Sequence, residues 1–511
     1  MNEPVSRPVV GPLQPALGED PALSLPPRGP EPDALRKIRA HNASTRAWIV
    51  ILDDDPTGCQ AMYDATVLIE PTTDELARAA REQRATFVWT NTRGLPEAQA
   101  VDVNRALVRS AIEAATLVGT RPVFISRSDS TLRGHFAAEV CTVAGTCRAA
   151  GLPVDGVVFA PAFLEAGRVT ADDVQWVIRA DGQAVAAAHT EFANDATFGY
   201  REVNLRDWVA ARTSRRAEKI TSIPLDALRT PGAAAAEKIL LSLRDGDIVV
   251  ANAATATDLE ILVLACQRAE QAGRHLLYRT GPSLVRVLAG QPPRAALTAP
   301  DLAGPSLDAG PGYGLTVVGS HTTLTTRQLD AAARQHPLSM IELDVDAVLD
   351  TERRVGARRQ VIERLEGALQ RGHAALVTSR AVRTAPDDPH GSLAIARLVS
   401  EEVCTVVSQL SVDLPLSYVV AKGGITSHEV AARGLGMRRA TVLGQMFPGQ
   451  VSVLRLGPET PRPGLPYVVF PGNVGHDDSL AQVLTTLTGA VRRSGATQAR
   501  NHRHDNESGQ P

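Results

Sequence analysis

Short runs of apolar, β-branched residues alternate along the chain with longer segments rich in Ala, Leu, Arg and Glu. This alternation is typical of βα units and predicts an α/β fold rather than an all-α or all-β fold. In the first half it predicts strands at Ala47–Leu52, Ala65–Glu70, Thr86–Thr90, Pro122–Ser126 and Gly156–Ala160. It predicts helices there near Thr73–Gln83, Glu97–Ala115 and Phe136–Ala150.

A second series of the same kind occupies the last third of the chain. Its predicted strands are Leu315–Gly319, Ala374–Thr378, Ser417–Ala421 and Tyr467–Phe470, and its predicted helices are Arg353–Gln370 and Leu393–Gln409. Between the two series, Gln291–Gly314 is dense in Pro and Gly, which neither continue a helix nor pair in a central strand. We therefore predict two domains, residues 46–290 and 315–495, each with a largely parallel sheet flanked by helices, joined by a linker over 291–314.

The composition is that of an ordinary globular protein, with 511 residues, 44% hydrophobic residues, 21% charged residues and a net charge of -3. Nucleic acid and anionic membranes are not favoured partners at this charge, and no apolar stretch reaches the roughly 18 residues that a membrane span needs. The five cysteines lack the paired spacing of a zinc site or disulfide framework, so we expect a cytoplasmic protein. The polar ends, residues 1–45 and 496–511, are predicted to be disordered tails. Assembly as a homodimer stays open.

Four polar segments of the first half each follow a predicted strand. They are Asp53–Gln60, Asn91–Glu97, Arg127–His135 and Pro161–Arg168. Loops at the carboxyl ends of parallel strands gather around one crevice, so these segments are expected to line a single site. Their aspartates, hydroxyls and arginines suit a small, hydroxylated acid, because a guanidinium makes two parallel hydrogen bonds to a carboxylate.

Within that site we expect Asp54 or Asp129 to act as the base or to orient a substrate hydroxyl. Arg127 and Arg133 are expected to clamp the carboxylate. Further substrate contacts are expected from Asp53, Arg93 and Ser128. A purely structural interpretation is the alternative, in which Asp53 caps the next turn and Asp129 pairs with a neighbouring arginine. The segment His189–Tyr200 is rich in polar and aromatic residues, and is expected either to line the pocket or to form a surface loop.

The second half carries a glycine loop, Lys422–Ser427, directly after a predicted strand and before a helical pattern. Backbone amides without side-chain bulk at the start of a helix bind phosphate. Thr426 and Glu429 have the spacing of a capping box, and Gly434 suits the end of that helix. Lys422 is expected to contact phosphate, or alternatively to be solvated.

Two further turns of the second half also follow predicted strands, Gly319–Thr326 and Pro471–Gly475. Both turns offer free amides or hydroxyls to the phosphate that the glycine loop is expected to bind. The chain has no Walker A pattern, no protein-kinase signature set and no dinucleotide fingerprint, so the common nucleotide folds are disfavoured.

Several of these segments together match one family, from about Trp48 to Arg493. The matching motifs, in chain order, are Asp53–Gly58, Ser128–Gly134, Thr190–Ala193 with Thr197–Tyr200, Val318–Ser320, Gly423–Thr426 and Pro471–Gly475. With these motifs the chain resembles the four-carbon acid sugar kinases. The resemblance implies an N-terminal domain that binds a sugar acid, a C-terminal domain that binds ATP, and transfer of the γ-phosphoryl group to a substrate hydroxyl.

The resemblance also implies which residues bind each ligand. The nucleotide contacts would come from Ser320, Gly423, Gly424, Ile425, Thr426 and Gly472. Sugar-acid contacts would come from Asp54, Arg93, Asp129, Arg133 and their neighbours. Phosphoryl transfer further requires Mg²⁺ to bridge phosphates, with ligands that the sequence does not indicate.

One residue of the glycine loop departs from the family pattern. Ile425 stands where members such as the oxo-tetronate kinases often carry an acidic residue. The substrate therefore stays open among a tetronate, an oxo-tetronate and a related acid. Two other functions are alternatives: a Mg²⁺-dependent sugar-phosphate hydrolase, and a nucleotide-responsive sugar-acid-binding protein without catalysis.

Overall fold

The computed structural model describes residues 32–82, 85–179, 181–230, 233–302, 313–380, 383 and 389–490. Within these residues a 15-stranded sheet runs through both halves of the chain, and a separate three-stranded antiparallel sheet packs beside the first half. The α/β class is confirmed. The prediction of one separate sheet in each domain is wrong, because strands from both halves pair into one sheet.

Each of the five strands predicted in the first half is present, with ends within one residue of the prediction, and further strands follow that the apolar runs do not predict. In chain order the strands are β1 (Ala47–Asp53), β2 (Thr66–Ile69), β3 (Ala85–Trp89), β4 (Arg121–Arg127), β5 (Gly156–Ala160), β6 (Arg168–Ala171), β7 (Val174–Ile178), β8 (Ala184–Ala186), β9 (Thr221–Ile223), β10 (Asp247–Ala251) and β11 (Leu276–Thr280). The order β2-β3-β1-β4-β11-β5-β10-β9 is parallel throughout, and β6, β7 and β8 form the small sheet. All seven residues of β1 are buried, as expected of a strand covered on both faces.

Helices cover both faces of this part of the sheet. They are α1 (Ala34–Ser44), α2 (Thr73–Glu82), α3 (Glu97–Val118), α4 (Phe136–Ala149), α5 (Leu205–Arg212), α6 (Leu225–Arg229), α7 (Ala233–Ser242), α8 (Ala256–Gln271) and α9 (Pro282–Leu288). Side chains of β1 alternate between two core clusters, with Ile49 in one and Val50 in the other. That alternation follows from the two-residue repeat of a strand.

The second half supplies seven strands and six named helices to the described residues. They are α10 (Ala299–Leu302), β12 (Tyr313–Val318), α11 (Thr323–Gln335), β13 (Leu338–Leu343), α12 (Val345–Leu349), α13 (Arg354–Leu369), β14 (His373–Thr378), α14 (Pro389–Ser408), β15 (Leu416–Lys422), α15 (Gly424–Glu429), β16 (Arg439–Phe447), β17 (Gln450–Leu456) and β18 (Pro466–Phe470). Residues 479–490 are also helical. The order β13-β14-β12-β15-β18 is parallel.

The two halves meet through an antiparallel hairpin that the apolar pattern does not predict. β17 pairs antiparallel with β18 and with β16, and β16 pairs antiparallel with β2 of the first half. The register of the last pair sets Arg439 opposite Leu68. The sheet is therefore continuous between the domains.

The N-terminal tail prediction is wrong for its last part. Residues 34–44 form α1, in which Ile38 is fully buried. The Nδ2 of Asn42 donates to the Leu288 carbonyl at 2.7 Å, and Arg39 donates to the Gly290 carbonyl at 2.6 Å. The helix is thus part of the first domain. The predicted tail over 496–511, and residues 1–31, lie outside the described residues, as do 303–312 of the predicted linker.

Candidate active site

A cavity of about 440 Å³, called here the central cavity, lies between loops of the two halves. Parallel register explains each wall: Asp53 at the end of β1 lies beside Arg127 at the end of β4, and Lys422 at the end of β15 lies beside Phe470 at the end of β18. The predicted residues that line it are Arg93, Arg127, Asp129, Arg133, Gly424, Ile425 and Gly472. The loops after predicted strands therefore do come together.

The three consecutive aspartates occupy different positions. Asp53 and Asp54 are buried, with 0% and 1% of their surface exposed, and Asp55 lines the central cavity. Arg93 donates to both oxygens of Asp54, at 2.7 and 3.3 Å, and to Asp55 at 3.1 Å. Asp53 accepts from the Nε of Arg127 at 2.5 Å. The structure thus sets Asp55, rather than the predicted Asp54, on the cavity wall.

Burial and charge affect these carboxyl groups in opposite directions. Burial raises the pKa of Asp53 to about 7, against the lowering effect of Arg127, and burial likewise raises the pKa of Asp54. For Asp55 burial acts in the same sense, but Arg93, Arg127 and hydrogen bonds from Thr57 outweigh it and lower the pKa. Asp55 is therefore an ionised carboxylate at neutral pH.

Asp129 is the second carboxylate on the cavity wall. The Nε of Arg133 donates to it at 2.6 Å, and the Thr131 hydroxyl also donates to it. Burial would raise the pKa of Asp129, but the charges of Arg93 and Arg133 hold it well below its usual range. Ser128 does not line the cavity: it is 6% exposed, and its neighbours Ser130 and Thr131 line the wall instead.

A buried ion pair supports this wall from behind. Arg279, from β11, donates to Glu139 and to Ser126, each at 2.5 Å, and Glu139 also accepts from the Thr92 hydroxyl at 2.6 Å. Arg279 is not among the predicted site residues, because no strand is predicted at Leu276–Thr280. The short run Leu-Leu-Tyr after Gly273 is the signal that could have found it.

The segment His189–Tyr200 contributes Phe192 to the cavity lining. The guanidinium carbons of Arg133 and Arg168 lie 5.3 and 6.0 Å from the centre of the Phe192 ring. The Tyr200 hydroxyl donates to the Thr131 carbonyl at 2.9 Å. The segment therefore covers the part of the cavity wall that carries Thr131 and Arg133, as one of the two sequence-based alternatives expects.

Within the glycine loop, Gly423 has a φ of 127°, a conformation that favours glycine. Its amide donates to the Phe470 carbonyl at 2.8 Å, and α15 begins at Gly424 and runs on into a π-helical turn, Val430–Gly434. The capping-box prediction is wrong, because Thr426 is the third residue of the helix. Glu429 instead pairs with Arg433 at 3.2 Å.

Lys422 is completely buried behind this loop, so it is not solvated and does not line the central cavity. Its Nζ donates to the Pro471 carbonyl at 3.0 Å and lies 3.8 Å from the centre of the Phe470 ring. Burial lowers the pKa of Lys422 to about 7. In this structure the ammonium group ties the glycine loop to the Pro471–Gly475 turn.

Gly472 lines the central cavity, and Ser320, which does not line it, lies beside Gly472. Thr325 donates through its hydroxyl to Ser320 Oγ at 2.9 Å and to the Gly472 carbonyl at 3.1 Å. A Cβ built on Gly472 would lie 4.0 Å from the Cα of Gly423. The three predicted nucleotide-binding turns therefore meet at one place, with little side-chain bulk between them.

A second cavity of about 230 Å³, called here the apolar cavity, adjoins the glycine loop. Val345 of α12 and Val399 and Val403 of α14 line it, together with Thr426. Ile425 lines both cavities and is 64% exposed. The two cavities therefore adjoin at Ile425.

Comparison with known proteins gives each half of the chain a binding function. A model of a sugar-binding N-terminal domain matches residues 49–288, and a model of a nucleotide-binding C-terminal domain matches residues 315–480. A sugar-binding domain followed by a nucleotide-binding domain identifies the chain as a sugar kinase. The chain belongs to the four-carbon acid sugar kinase family.

A relative of known activity agrees with this assignment. A D-erythronate kinase of Heliobacterium modesticaldum is 27% identical over 368 residues, which cover 69% of this chain and 75% of the relative. The kinase prediction is thereby confirmed over the hydrolase and binding-protein alternatives.

Solved structures share the fold. A Haemophilus influenzae protein superposes with a TM-score of 0.58 at 16% identity, covering 86% of this chain and all of that one. A Salmonella typhimurium LT2 protein, solved as a candidate tRNA synthase, superposes with a TM-score of 0.62 at 16% identity, covering 85% of this chain and 98% of that one. At this identity the likeness concerns the fold alone. Among the described helices, none is long and apolar enough to cross a membrane.

Proposed function

We propose that this kinase transfers the γ-phosphoryl group of ATP to a hydroxyl of a four-carbon sugar acid of the erythronate type. One observation carries the proposal: Asp55 of the sugar-binding domain and Gly424 of the nucleotide-binding domain lie on opposite walls of the same cavity. An acid held by the first wall and a phosphate held by the second would meet in that space. The name of the Heliobacterium relative supports the substrate class.

The nucleotide is proposed to span the two cavities. The amide of Gly424 and the turn at Gly472 suit the phosphates, because glycine lets an anion approach the backbone closely. The apolar cavity, with its valine lining, suits the flat face of the adenine base. Ile425 would then lie between the base and the phosphates.

The acid is proposed to bind with one hydroxyl near Asp55 and Asp129. The hydroxyl oxygen attacks the γ-phosphorus, the bond to the β–γ bridging oxygen breaks, ADP leaves, and a carboxylate receives the hydroxyl proton. Because the transition state of phosphoryl transfer is loose, orientation of this hydroxyl matters more than the strength of the base. Asp54 is proposed to fix Arg93 rather than to touch substrate.

Among the described residues, no group of three or more His, Cys, Asp or Glu side chains could hold a metal ion. This fits Mg²⁺ in a kinase, which is bound mainly by phosphates and water with one or two carboxylates. Asp55, ionised and on the cavity wall, is the residue that would hold it. When bound, the ion would neutralise charge on the phosphates.

The test is an ADP-release assay with ATP, Mg²⁺ and a panel of four-carbon aldonic and oxo-aldonic acids. We expect ADP release to depend on one acid or a few, with little hydrolysis of ATP alone, and ³¹P NMR to show a phosphate monoester on the acid. Failure of every acid, or release of inorganic phosphate from sugar phosphates without ATP, would contradict the proposal.

A further inference from the structure

Four arginines line the central cavity, and three of them already have carboxylate partners. Arg93 bonds to Asp54 and Asp55, Arg127 to Asp53, and Arg133 to Asp129. In the part of the chain that the structure describes, Arg168 makes no ion pair with a carboxylate within 4.0 Å. The arginine that is free to bind an external anion is therefore this fourth one.

The hydrogen bonds of Arg168 also leave it free to bind an external anion. Its Nη1 donates to the Ala166 carbonyl at 2.5 Å, and its Nε is buried without a hydrogen-bond partner among the described residues. Arg127, in contrast, uses all three of its nitrogens, on Asp53 at 2.5 Å, on the Ser128 carbonyl at 3.1 Å and on the Asp55 carbonyl at 2.7 Å. Arg127 is thus part of the wall, whereas Arg168 has donors left for a ligand.

The electrostatic setting of Arg168 is unfavourable without an anion. Burial lowers the pKa of Arg168, and the nearby charge of Arg133 adds to this effect, whereas the charges of Asp129 and Glu191 oppose it. A guanidinium that is partly removed from water and lies beside another cation is stabilised when a carboxylate joins it. The other three arginines already have Asp53, Asp54, Asp55 and Asp129 as partners, so a ligand carboxylate would give Arg168 a direct counter-charge of its own.

The backbone holds Arg168 rigidly at this place. It is the first residue of β6, after a tight turn in which Gly167 has a φ of 68°. Its amide and carbonyl both bond to Phe163, at 2.9 Å each. Gly449 of the second domain packs against the backbone of Glu165 and Ala166 in this turn, since a Cβ at 449 would meet their atoms at 2.6 to 2.8 Å. The guanidinium is therefore positioned before a ligand arrives.

We propose that Arg168 binds the carboxylate of the sugar acid and so makes the site selective for acids over uncharged polyols and amides. This inference rests on the proposed kinase function and names its acid-recognition residue. The sequence leads us to expect Arg127 and Arg133 to hold the carboxylate. In this proposal Arg168 takes the place of Arg127, and Arg133 assists it. The hydroxyl end of the acid then faces Asp129 and Asp55, which line the same cavity.

The test compares the wild type with Arg168→Gln, Arg168→Lys and a control, Arg179→Gln. Arg179 is exposed just after β7 of the same small sheet. The ligands are the acid that the wild type phosphorylates and its primary amide, which lacks only the charge. Calorimetry gives both dissociation constants, and ADP release gives KM and kcat for the acid.

For Arg168→Gln we expect the acid to bind about 10- to 100-fold more weakly, the range that loss of a charge-assisted hydrogen bond gives. Binding of the amide should be nearly unchanged, so the preference for acid over amide disappears. KM should rise more than kcat falls. Arg168→Lys should keep part of the preference, and Arg179→Gln should keep all of it.

If Arg168→Gln weakens acid and amide equally, or lowers the melting temperature without changing their ratio, Arg168 only supports the turn and the inference is overturned. The kinase function stands in that case, because the wild type still releases ADP with the acid. If the wild type releases ADP with no acid of the panel, the proposed function and this inference fail together.

Discussion

The carboxylate of Asp55 faces Gly424 across the cleft, and a Cβ built on Gly424 would lie 3.5 Å from Asp55 Oδ2. Asp55 follows β1 of the sugar-binding domain, and Gly424 begins α15, the helix of the glycine loop. A side chain at position 424 would enter the space between them. This pair therefore marks where an acid on one wall and a phosphate on the other come closest.

Replacing Asp55 with Asn should lower kcat by about 100-fold or more, because the change removes a charge from the groups that orient the reacting hydroxyl and would hold Mg²⁺. The size of the side chain hardly changes, so we expect the variant to keep the fold. ADP release at saturating acid measures the effect. Asp64→Asn is the matched control: Asp64 is exposed, with a φ of 51° that Asn also tolerates. Retention of most activity in Asp55→Asn would remove Asp55 from the mechanism.

Gly423→Ala should weaken nucleotide binding roughly 5- to 100-fold, the effect of forcing a strained backbone conformation on one residue. At φ 127° an L side chain is disfavoured, and a Cβ would lie 2.9 Å from Thr426 Oγ1. Nucleotide affinity by calorimetry is the measurement, with acid binding in the absence of nucleotide expected to stay the same. Gly356→Ala, in α13 with no atom within 4 Å of the new Cβ, should leave both affinities intact. Equal loss of both ligands would indicate misfolding instead.

The apolar pattern of the sequence predicts most of the cavity wall that the sugar-binding domain forms. The apolar runs of β1 and β4 end at polar residues, and parallel pairing brings Asp53 and Arg127 side by side. What the pattern cannot decide is which of three adjacent aspartates faces the cavity, because β1 ends at Asp53 and the bend that follows sets the directions of the next two side chains. Asp54 is buried and Asp55 lines the cavity for this reason.

Long-range pairing explains the other differences. The alternation of β16 is broken by a bulge between Val442 and Gly444, so its pairing with β2 is not visible in the sequence. The burial of Lys422 depends on Pro471 and Phe470, which are distant along the chain. A lysine beside a glycine loop has the same local sequence whether it binds phosphate or supports the loop.

Ser400→Trp should weaken ATP binding at least about tenfold, equivalent to about 1.4 kcal/mol, if adenine occupies the apolar cavity. Ser400 lines this cavity of about 230 Å³, and an indole would fill much of it. Ser408→Trp, at the exposed end of the same helix, is the control. Calorimetry with ATP and with tripolyphosphate separates the parts of the ligand, since only ATP carries the base. Unchanged ATP affinity in Ser400→Trp would mean that the base binds elsewhere.

The buried ammonium of Lys422 should make stability depend on pH. Burial lowers the pKa of Lys422 from 10.5 to about 7 in the folded protein. Between these two values the unfolded state holds a proton that the folded state has lost, so the free energy of unfolding rises with pH, by at most about 1.4 kcal/mol per pH unit. Lys422→Met lacks this contribution. The stability of the wild type relative to Lys422→Met should therefore increase from pH 7 to pH 9.

Urea denaturation of both proteins at pH 7, 8 and 9 measures this difference. The lost bond to the Pro471 carbonyl lowers the stability of Lys422→Met at every pH, and titration of Asp53 is common to both proteins. Neither therefore produces the trend. Lys219→Met, whose side chain is exposed, should show no such trend. A difference that stays constant or shrinks with rising pH would mean that Lys422 keeps its proton in the folded protein, with the Phe470 ring and the Pro471 carbonyl outweighing the cost of burial.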